Sequence, residues 1–241
     1  MSKPHLVLVP GIWEGPYVYD RLVPLLKAEG YALSLAPLVS TGVASAPPPQ
    51  KTPSQRDDEA AIRARDAGAV EGLRKPKRQE HGQKGGVSSF VFLTGGLAPV
   101  GFVAPDLPFF DYQVCSLLHI KRYSFPSRLK LVLSTTRMLC KNQRELIFND
   151  FSDEEAEKLM ATWACQPSKE DYYRPIEYTG WTEVPSTYLL CEGDKVHSIP
   201  IQKILVELVG CKTVTCSAGH AVPLSDPKKC VSVINEAVGQ Q

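Results

Sequence analysis

Apolar residues along this chain follow two spacings, and the two alternate. His5-Leu-Val-Leu-Val9 is a short β-branched run closed by Pro10-Gly11, which predicts a buried strand followed by a loop. From Val18 to Glu29 the spacing becomes helical, with Leu22, Leu25 and Leu26 on one face, Pro24 in the first turn and Gly30 as the stop. Tyr31–Leu35 returns to strand, and Ser89–Leu93, ended by Gly95-Gly96, is another buried strand. The last third repeats the alternation. Thr187–Cys191 reads as a strand and Glu192-Gly193-Asp194 as a turn. A helix then runs from Ser198-Ile-Pro200 to Gly210 with Ile201, Ile204, Leu205 and Leu208 inward. Thr213–Cys216 is a short final strand, and Asp226-Pro227 opens a closing helix with Val231, Ile234 and Val238 on one side. Strands alternating with helices imply an α/β fold, a mostly parallel sheet flanked by helices.

The middle is less regular. Gly42–Pro53 is a linker rich in Ala, Ser and Pro. Asp57–Arg65 is a helix candidate with acids first and arginines late, which suits the helix dipole. A second helical stretch, Ala67–Leu73, follows at once with no strand between, and a basic loop runs from Arg74 to Lys84. Within 98–181 the clearest element is a helix opening at Ser152-Asp-Glu-Glu155, a capping-box spacing, with Ala156, Leu159, Met160 and Trp163 on one face. Residues 1–241 are therefore read as a single domain, with 98–181 a helical cap or lid-type insertion. One stretch inside it stands apart: seven lysines and arginines but no acid lie between Asp111 and Glu145, with the shift centred on Lys121–Lys141.

Composition narrows the function classes. Hydrophobic residues make up 43% of the 241, enough for one full core. A formal net charge of +1 gives no footing for a nucleic-acid or membrane partner. Seven cysteines, an odd number with no Cys-x-x-Cys pair, argue for reduced thiols and against a disulfide framework or a zinc site. The apolar core at Leu6–Val9 is too short for a signal peptide, and Phe90–Phe110 is broken by Gly95, Gly96, Pro99, Gly101, Pro105, Asp106 and Pro108, so no membrane span is expected. The cytoplasm is the expected location. Arg74-Lys-Pro-Lys-Arg78 has the makeup of a nuclear-localisation run but reads as a solvated loop, because no aromatic interleaving accompanies it.

Three features fall just past strand ends, where a parallel sheet places its functional groups. They are Pro10-Gly11-Ile12-Trp13, Asp194 and His220. An acid followed in the chain by a histidine, each on a post-strand loop, is the back half of a nucleophile–His–acid triad. With those residues in view, the chain resembles the α/β-hydrolases of the hydroxynitrile-lyase and methylesterase-like branch, including uncharacterised filamentous-fungal members, several from secondary-metabolite pathways. Leu-Val-Leu-Val-Pro10-Gly11-Ile12-Trp13 is similar to the oxyanion loop, Ser186–Asp194 to the segment carrying the acid, and Ser217-Ala-Gly-His220 to the segment carrying the base. The resemblance implies that the backbone N–H of Ile12 donates to an oxyanion, with Gly11 and Trp13 beside the substrate. It also implies an ancestral serine hydrolase or esterase in which Asp194 orients His220, acting on a small ester, lactone or related carbonyl compound. No metal or organic cofactor is implied.

One part of the pattern is missing. The branch places a strand, a Gly-x-Ser-x-Gly turn and a helix where Arg65 and Asp66 here abut, a gap of roughly 20–30 residues. No Gly-x-Ser-x-Gly occurs anywhere in the chain. Ser88 and Ser89 precede their strand and so lie at the wrong end of the sheet, while Cys115, Ser116 and Ser134 lack an elbow signature. No nucleophile is assigned, and a central strand of the sheet is expected to be absent. His5, His81, His119 and His197 have no partner pattern and are read as surface or packing residues. One hypothesis accounts for both oddities: a mispredicted translation, with the exon end carrying the elbow skipped and an intron read through at Lys121–Lys141. The rival readings are a catalytically inactive ligand-binding protein and a lyase that uses His220 as a lone acid/base.

Overall fold

The computed structural model describes residues 3–11, 13–36, 38, 42–43, 86–103, 110–116, 134–162, 164–165 and 175–239. The expected helices at 57–65 and 67–73, Ile12 of the oxyanion loop and Trp163 lie outside the described residues.

The opening run forms β1 (Leu6–Leu8), a 3-10 turn at Pro16–Tyr19, α1 (Leu22–Ala28) and β2 (Leu33–Leu35). β1 and β2 pair in parallel with Leu6 opposite Leu33, so the intervening helix is a crossover connection. Gly30 takes the left-handed backbone that ends α1, with φ +85. A two-residue strand β3 (Gly42–Val43) pairs antiparallel with β7 (Ala164–Cys165). The second parallel group is β4 (Phe90–Leu93), β8 (Ser186–Cys191) and β9 (Lys212–Cys216), with β8 in the middle.

Side-chain alternation on β8 shows how the layers are built. Leu189 and Cys191 face the main core, which also takes Leu22 and Leu26 of α1 and Cys230, Val231, Val233 and Ile234 of α6 (Pro227–Gly239). Tyr188 and Leu190 face the other way, onto Trp181 and the Leu205, Val206 and Val209 side of α4 (Ile199–Val209). A strand buried on both faces between helices is the parallel-sheet arrangement the alternating pattern called for.

Helix α4 departs from the sequence reading. Ile201, Ile204 and Leu208, expected inward, are 44%, 58% and 56% exposed, whereas Gln202 is fully buried. The helix turns its 202/205/206/209 stripe to the sheet because the Gln202 amide meets backbone groups that would otherwise go unpaired, as described below.

Between β4 and β8 the chain forms the antiparallel pair β5 (Phe110–Ser116) and β6 (Ser134–Cys140), then α2 (Gln143–Leu146) and α3 (Asp153–Ala161). The strand pair was not anticipated, and β6 occupies part of the acid-free stretch. The capping box was: Ser152 Oγ accepts from the Glu155 N–H at 3.3 Å. The remaining elements are a 3-10 turn at Gly180–Thr182 and α5 (Val222–Ser225).

Among the described residues β1 pairs only with β2, and β4 only with β8. The parallel strands therefore form two hydrogen-bonded groups that share one core. Residues 44–85, which separate them in sequence, lie outside the described residues. Among the described residues no helix is long and apolar enough to cross a membrane.

Candidate active site

Asp194 and His220 meet past the ends of β8 and β9. His220 Nδ1 lies 3.0 Å from Asp194 Oδ2. The other carboxylate oxygen, Oδ1, accepts the N–H groups of Val196 and His197 at 2.8 and 2.9 Å. Asp194 is 3% exposed, so its charge is held by three donors away from water. A carboxylate can only accept, which places a proton on His220 Nδ1 and leaves the lone pair on Nε2. Burial of the ring opposes its protonation. The hydrogen bond and charge of Asp194, with Glu14 and Asp150 beyond, outweigh that, and the His220 pKa is raised.

Two glycines let the loops approach. Glu192 N–H and Gly193 N–H donate to Cys216 O and Ala218 O at 2.9 and 3.0 Å, extending the β8–β9 pairing into the loops. A Cβ on Gly193 would stand 2.8 Å from the Ser217 and Ala218 carbonyl oxygens, and one on Gly219 would stand 2.7 Å from Asp150 Oδ1. Neither position has room for a side chain.

Several residues of the site were not found by sequence reasoning. Asn149 Nδ2 donates to Gly193 O at 3.0 Å, and Gly219 N–H donates to Asp150 Oδ2 at 2.6 Å. One turn therefore clamps both the acid loop and the base loop. Arg144 holds that turn, donating to Phe148 O at 2.8 Å, Phe151 O at 3.0 Å and Asp153 Oδ1 at 2.7 Å. Thr94, at the end of β4, adopts a left-handed φ of +58, and its Oγ1 lies 2.8 Å from His220 O. That conformation is strained for a β-branched residue, and here it ties the β4 end to the base loop.

His197, read from sequence as surface or packing, lies against His220 with ring centroids 5.5 Å apart at 70°. Its Nδ1 is 3.2 Å from Thr94 O, so that nitrogen carries its proton and Nε2 does not. Burial, then the charge of His220, lowers its pKa despite the opposing pull of Asp194 and the Thr94 carbonyl. The ring is accordingly the neutral partner of the pair. Asp194, His197 and His220 bring ligand atoms within 4.8 Å of one another. Both Asp194 oxygens already accept hydrogen bonds, from His220 and from the Val196 and His197 amides, which is the arrangement of an acid/base pair.

Gln202 anchors the acid loop from below. Its Oε1 accepts from Cys191 N–H at 2.9 Å, and its Nε2 donates to Cys191 O at 2.8 Å and His197 O at 2.6 Å. Gln202→Leu would leave those backbone groups unpaired in the core. It is expected to cost about 3 kcal/mol, read as a lower urea midpoint at unchanged slope.

On the oxyanion side, Gly11 N–H donates to Glu14 Oε2 at 3.0 Å. Burial pushes the Glu14 carboxyl up, while nearby His220 and the Gly11 bond pull it down, with a net raised pKa. Trp13, expected beside the substrate, is 5% exposed within the main core and holds a left-handed φ of +66. Tyr19 OH fixes the loop from behind by donating to Val9 O at 2.6 Å. Glu14 stands inside the Pro10–Trp13 loop's own turn, yet its type alone gave no signal that it would fold back on a loop amide.

A parallel sheet layered by helices, with an acid and a histidine paired over adjoining strand ends, defines the hydrolase class of α/β proteins. The chain belongs to the alpha/beta hydrolase family, whose model matches residues 6–233. It is similar to the alpha/beta hydrolase nvfD of Aspergillus novofumigatus, at 26% identity over 265 aligned positions that span 100% of this chain and 98% of that protein. Solved structures of similar fold include polyneuridine aldehyde esterase (TM-score 0.67, 18% identity, 98% and 99% of the two chains). The methylesterase MES16 from Arabidopsis matches with a TM-score of 0.68 at 14% identity, over 98% and 99% of the chains. A variant of tomato methylketone synthase I, solved with beta-ketoheptanoate, matches with a TM-score of 0.66 at 13% identity, over 98% and 100%.

Proposed function

We propose that this chain takes a small ester, lactone or related carbonyl compound over the Asp194–His220 pair, and that its chemistry is acid/base catalysis by His220 without a serine acyl-enzyme. Asp194 orients the imidazole. The loop at Gly11 and Ile12 receives the carbonyl oxygen, with Trp13 packed behind it, and residues 98–181 form the cap over the site. The observation that carries this reading is the intact, doubly anchored Asp194–His220 pair at 3.0 Å in a chain with no Gly-x-Ser-x-Gly. Among the described residues no hydroxyl or thiol is hydrogen-bonded to the imidazole.

One comparison supports a shortened chain. Alignment with nvfD needs 265 positions to hold a chain of 241, leaving about 24 filled only in the relative. Five cysteines free among the described residues suit a cytoplasmic location, and a net charge of +1 gives no footing for a nucleic-acid partner.

The reading is tested in deuterated water with a small α-aryl ester or lactone. A lone base exchanges the α C–H for deuterium and leaves the acyl bond intact, and His220→Ala abolishes the exchange. Release of the free acid with labelling by a fluorophosphonate would instead indicate a serine hydrolase. Saturable binding with neither reaction would indicate an inactive binder. Either result overturns the proposal.

A further inference from the structure

Cys191 and Cys216 are cross-strand partners in the β8–β9 register, with their sulfurs 3.4 Å apart. Adjacent strands run about 4.7–4.9 Å apart, inside the roughly 4.4–6.8 Å Cα window a disulfide needs. Side-chain rotation is therefore most of what separates the two thiols from a bond. Their surroundings differ. Cys191 is fully buried in the main core, while Cys216 is half-buried near the strand end. We propose that the pair is an oxidation site in which a hydroperoxide attacks at Cys216 and Cys191 resolves the product into a reversible Cys191–Cys216 disulfide directly beneath the Asp194–His220 pair.

The chemistry follows from which sulfur carries the charge. Cys216 is the more exposed of the two sulfurs, and the contact with Cys191 and the Ala218 N–H both favour its thiolate. Against the opposing effect of burial, these lower the Cys216 thiol to about 7. The same contact, with burial, holds Cys191 as the protonated thiol. In the first step the Cys216 thiolate breaks the O–O bond of the hydroperoxide. It becomes a sulfenic acid, and the leaving hydroxide or alkoxide takes up a proton. In the second, the Cys191 sulfur displaces the sulfenic oxygen, which departs as water with the Cys191 proton, and the S–S bond forms. Overall, two thiols lose two hydrogens and the hydroperoxide is reduced.

The position makes such a bond consequential. Closing the sulfurs from 3.4 Å to the roughly 2.05 Å of an S–S bond takes side-chain rotation and a small further approach of the two strand ends. Above it, Gly193 already lies too close to the Ser217 and Ala218 carbonyls for even a Cβ, so little of that movement can be absorbed before Asp194 and His220.

The test is peptide mapping of the intact protein after one equivalent of hydrogen peroxide. The expected product is about 2 Da lighter, the loss of two hydrogens, with the Cys191 and Cys216 peptides joined and both freed by dithiothreitol. In Cys191→Ser, Cys216 should stop at a dimedone-reactive sulfenic acid. In Cys216→Ser, peroxide consumption should fall about tenfold. Cys230, whose buried thiol feels the charge of Cys216, is the competing partner. A Cys216–Cys230 bridge, a sulfinic Cys216 without a bridge in the unsubstituted chain, or both thiols unchanged would overturn the proposal. The mapping of the unsubstituted chain decides this even if a variant fails to fold.

Discussion

Inserting a strand, a Gly-x-Ser-x-Gly turn and a helix start between Arg65 and Asp66 is expected to confer stoichiometric fluorophosphonate labelling, where the chain without the insert should show none. Its kcat/KM on a small ester should rise on the order of 10³-fold or more. The case rests on which parts are already in place. Asp194 holds both its loop amides and the imidazole, and the resulting His220 Nε2 lone pair has no hydroxyl or thiol partner among the described residues. A triad without its nucleophile loses nearly all its acyl-transfer rate, because its members act as a unit. The same insertion should raise the thermal midpoint by several degrees. A parallel strand placed between β1 and β4 would give both edges hydrogen-bonded neighbours and join two groups that, among the described residues, share only side-chain packing. Two independent readouts guard the interpretation. Labelling without the insert would show that another serine serves. A raised midpoint with no labelling would show that the Asp194–His220 pair is not poised for a triad.

How much of this was legible in the sequence depends on whether a feature is local. β1, β4, β8 and β9 were readable because each is a short apolar run bounded by Pro, Gly or charge, and Asp194 and His220 because each follows such a run. The capping box at Ser152 needed only four consecutive residues. What could not be read is what the tertiary structure imposes. In α4 an inward stripe of Ile201, Ile204 and Leu208 maximises apolar burial, but it loses to one containing Gln202, since the unpaired Cys191 and His197 backbone groups need that amide more than the core needs another isoleucine. Asn149 and Asp150 reach loops 44 and 69 residues away, a separation across which no periodicity carries information. His197 has no sequence partner for the same reason: its neighbour is Thr94 O, 103 residues earlier. The left-handed Thr94 is the least foreseeable, because its strain is tolerated only when β4 and the base loop are already adjacent.

The second large effect belongs to Asp194→Asn. The side chain keeps its shape, so an amide oxygen can still accept from Val196 and His197, but it now turns an NH₂ toward His220 Nδ1. The imidazole must then shift its proton to Nε2, leaving no lone pair for a substrate. Base-catalysed exchange is expected to fall on the order of 10³–10⁴-fold, with the ligand affinity little changed. The pH dependence of stability distinguishes this from general damage. In the unsubstituted protein the His220 pKa is raised above its unfolded value near ~6.5, so the folded state holds the proton more tightly. That stabilisation is complete below about pH 6.5 and is lost as pH rises through the folded-state pKa. Removing the Asp194 charge leaves burial as the largest influence on the ring, which drives the pKa below its unfolded value. The His220 contribution then changes sign: absent at neutral pH, it becomes a penalty as pH falls through about 6.5. The difference in urea-unfolding free energy between the two proteins should therefore widen toward low pH, by about 1–3 kcal/mol, and narrow above neutrality. His197 also loses the Asp194 charge that opposes the lowering of its pKa, which adds to the same low-pH penalty, so the comparison is repeated in a His197→Gln background to leave the His220 share. A difference that stays flat with pH would mean that Asp194 shapes the loop without holding the charge on the base.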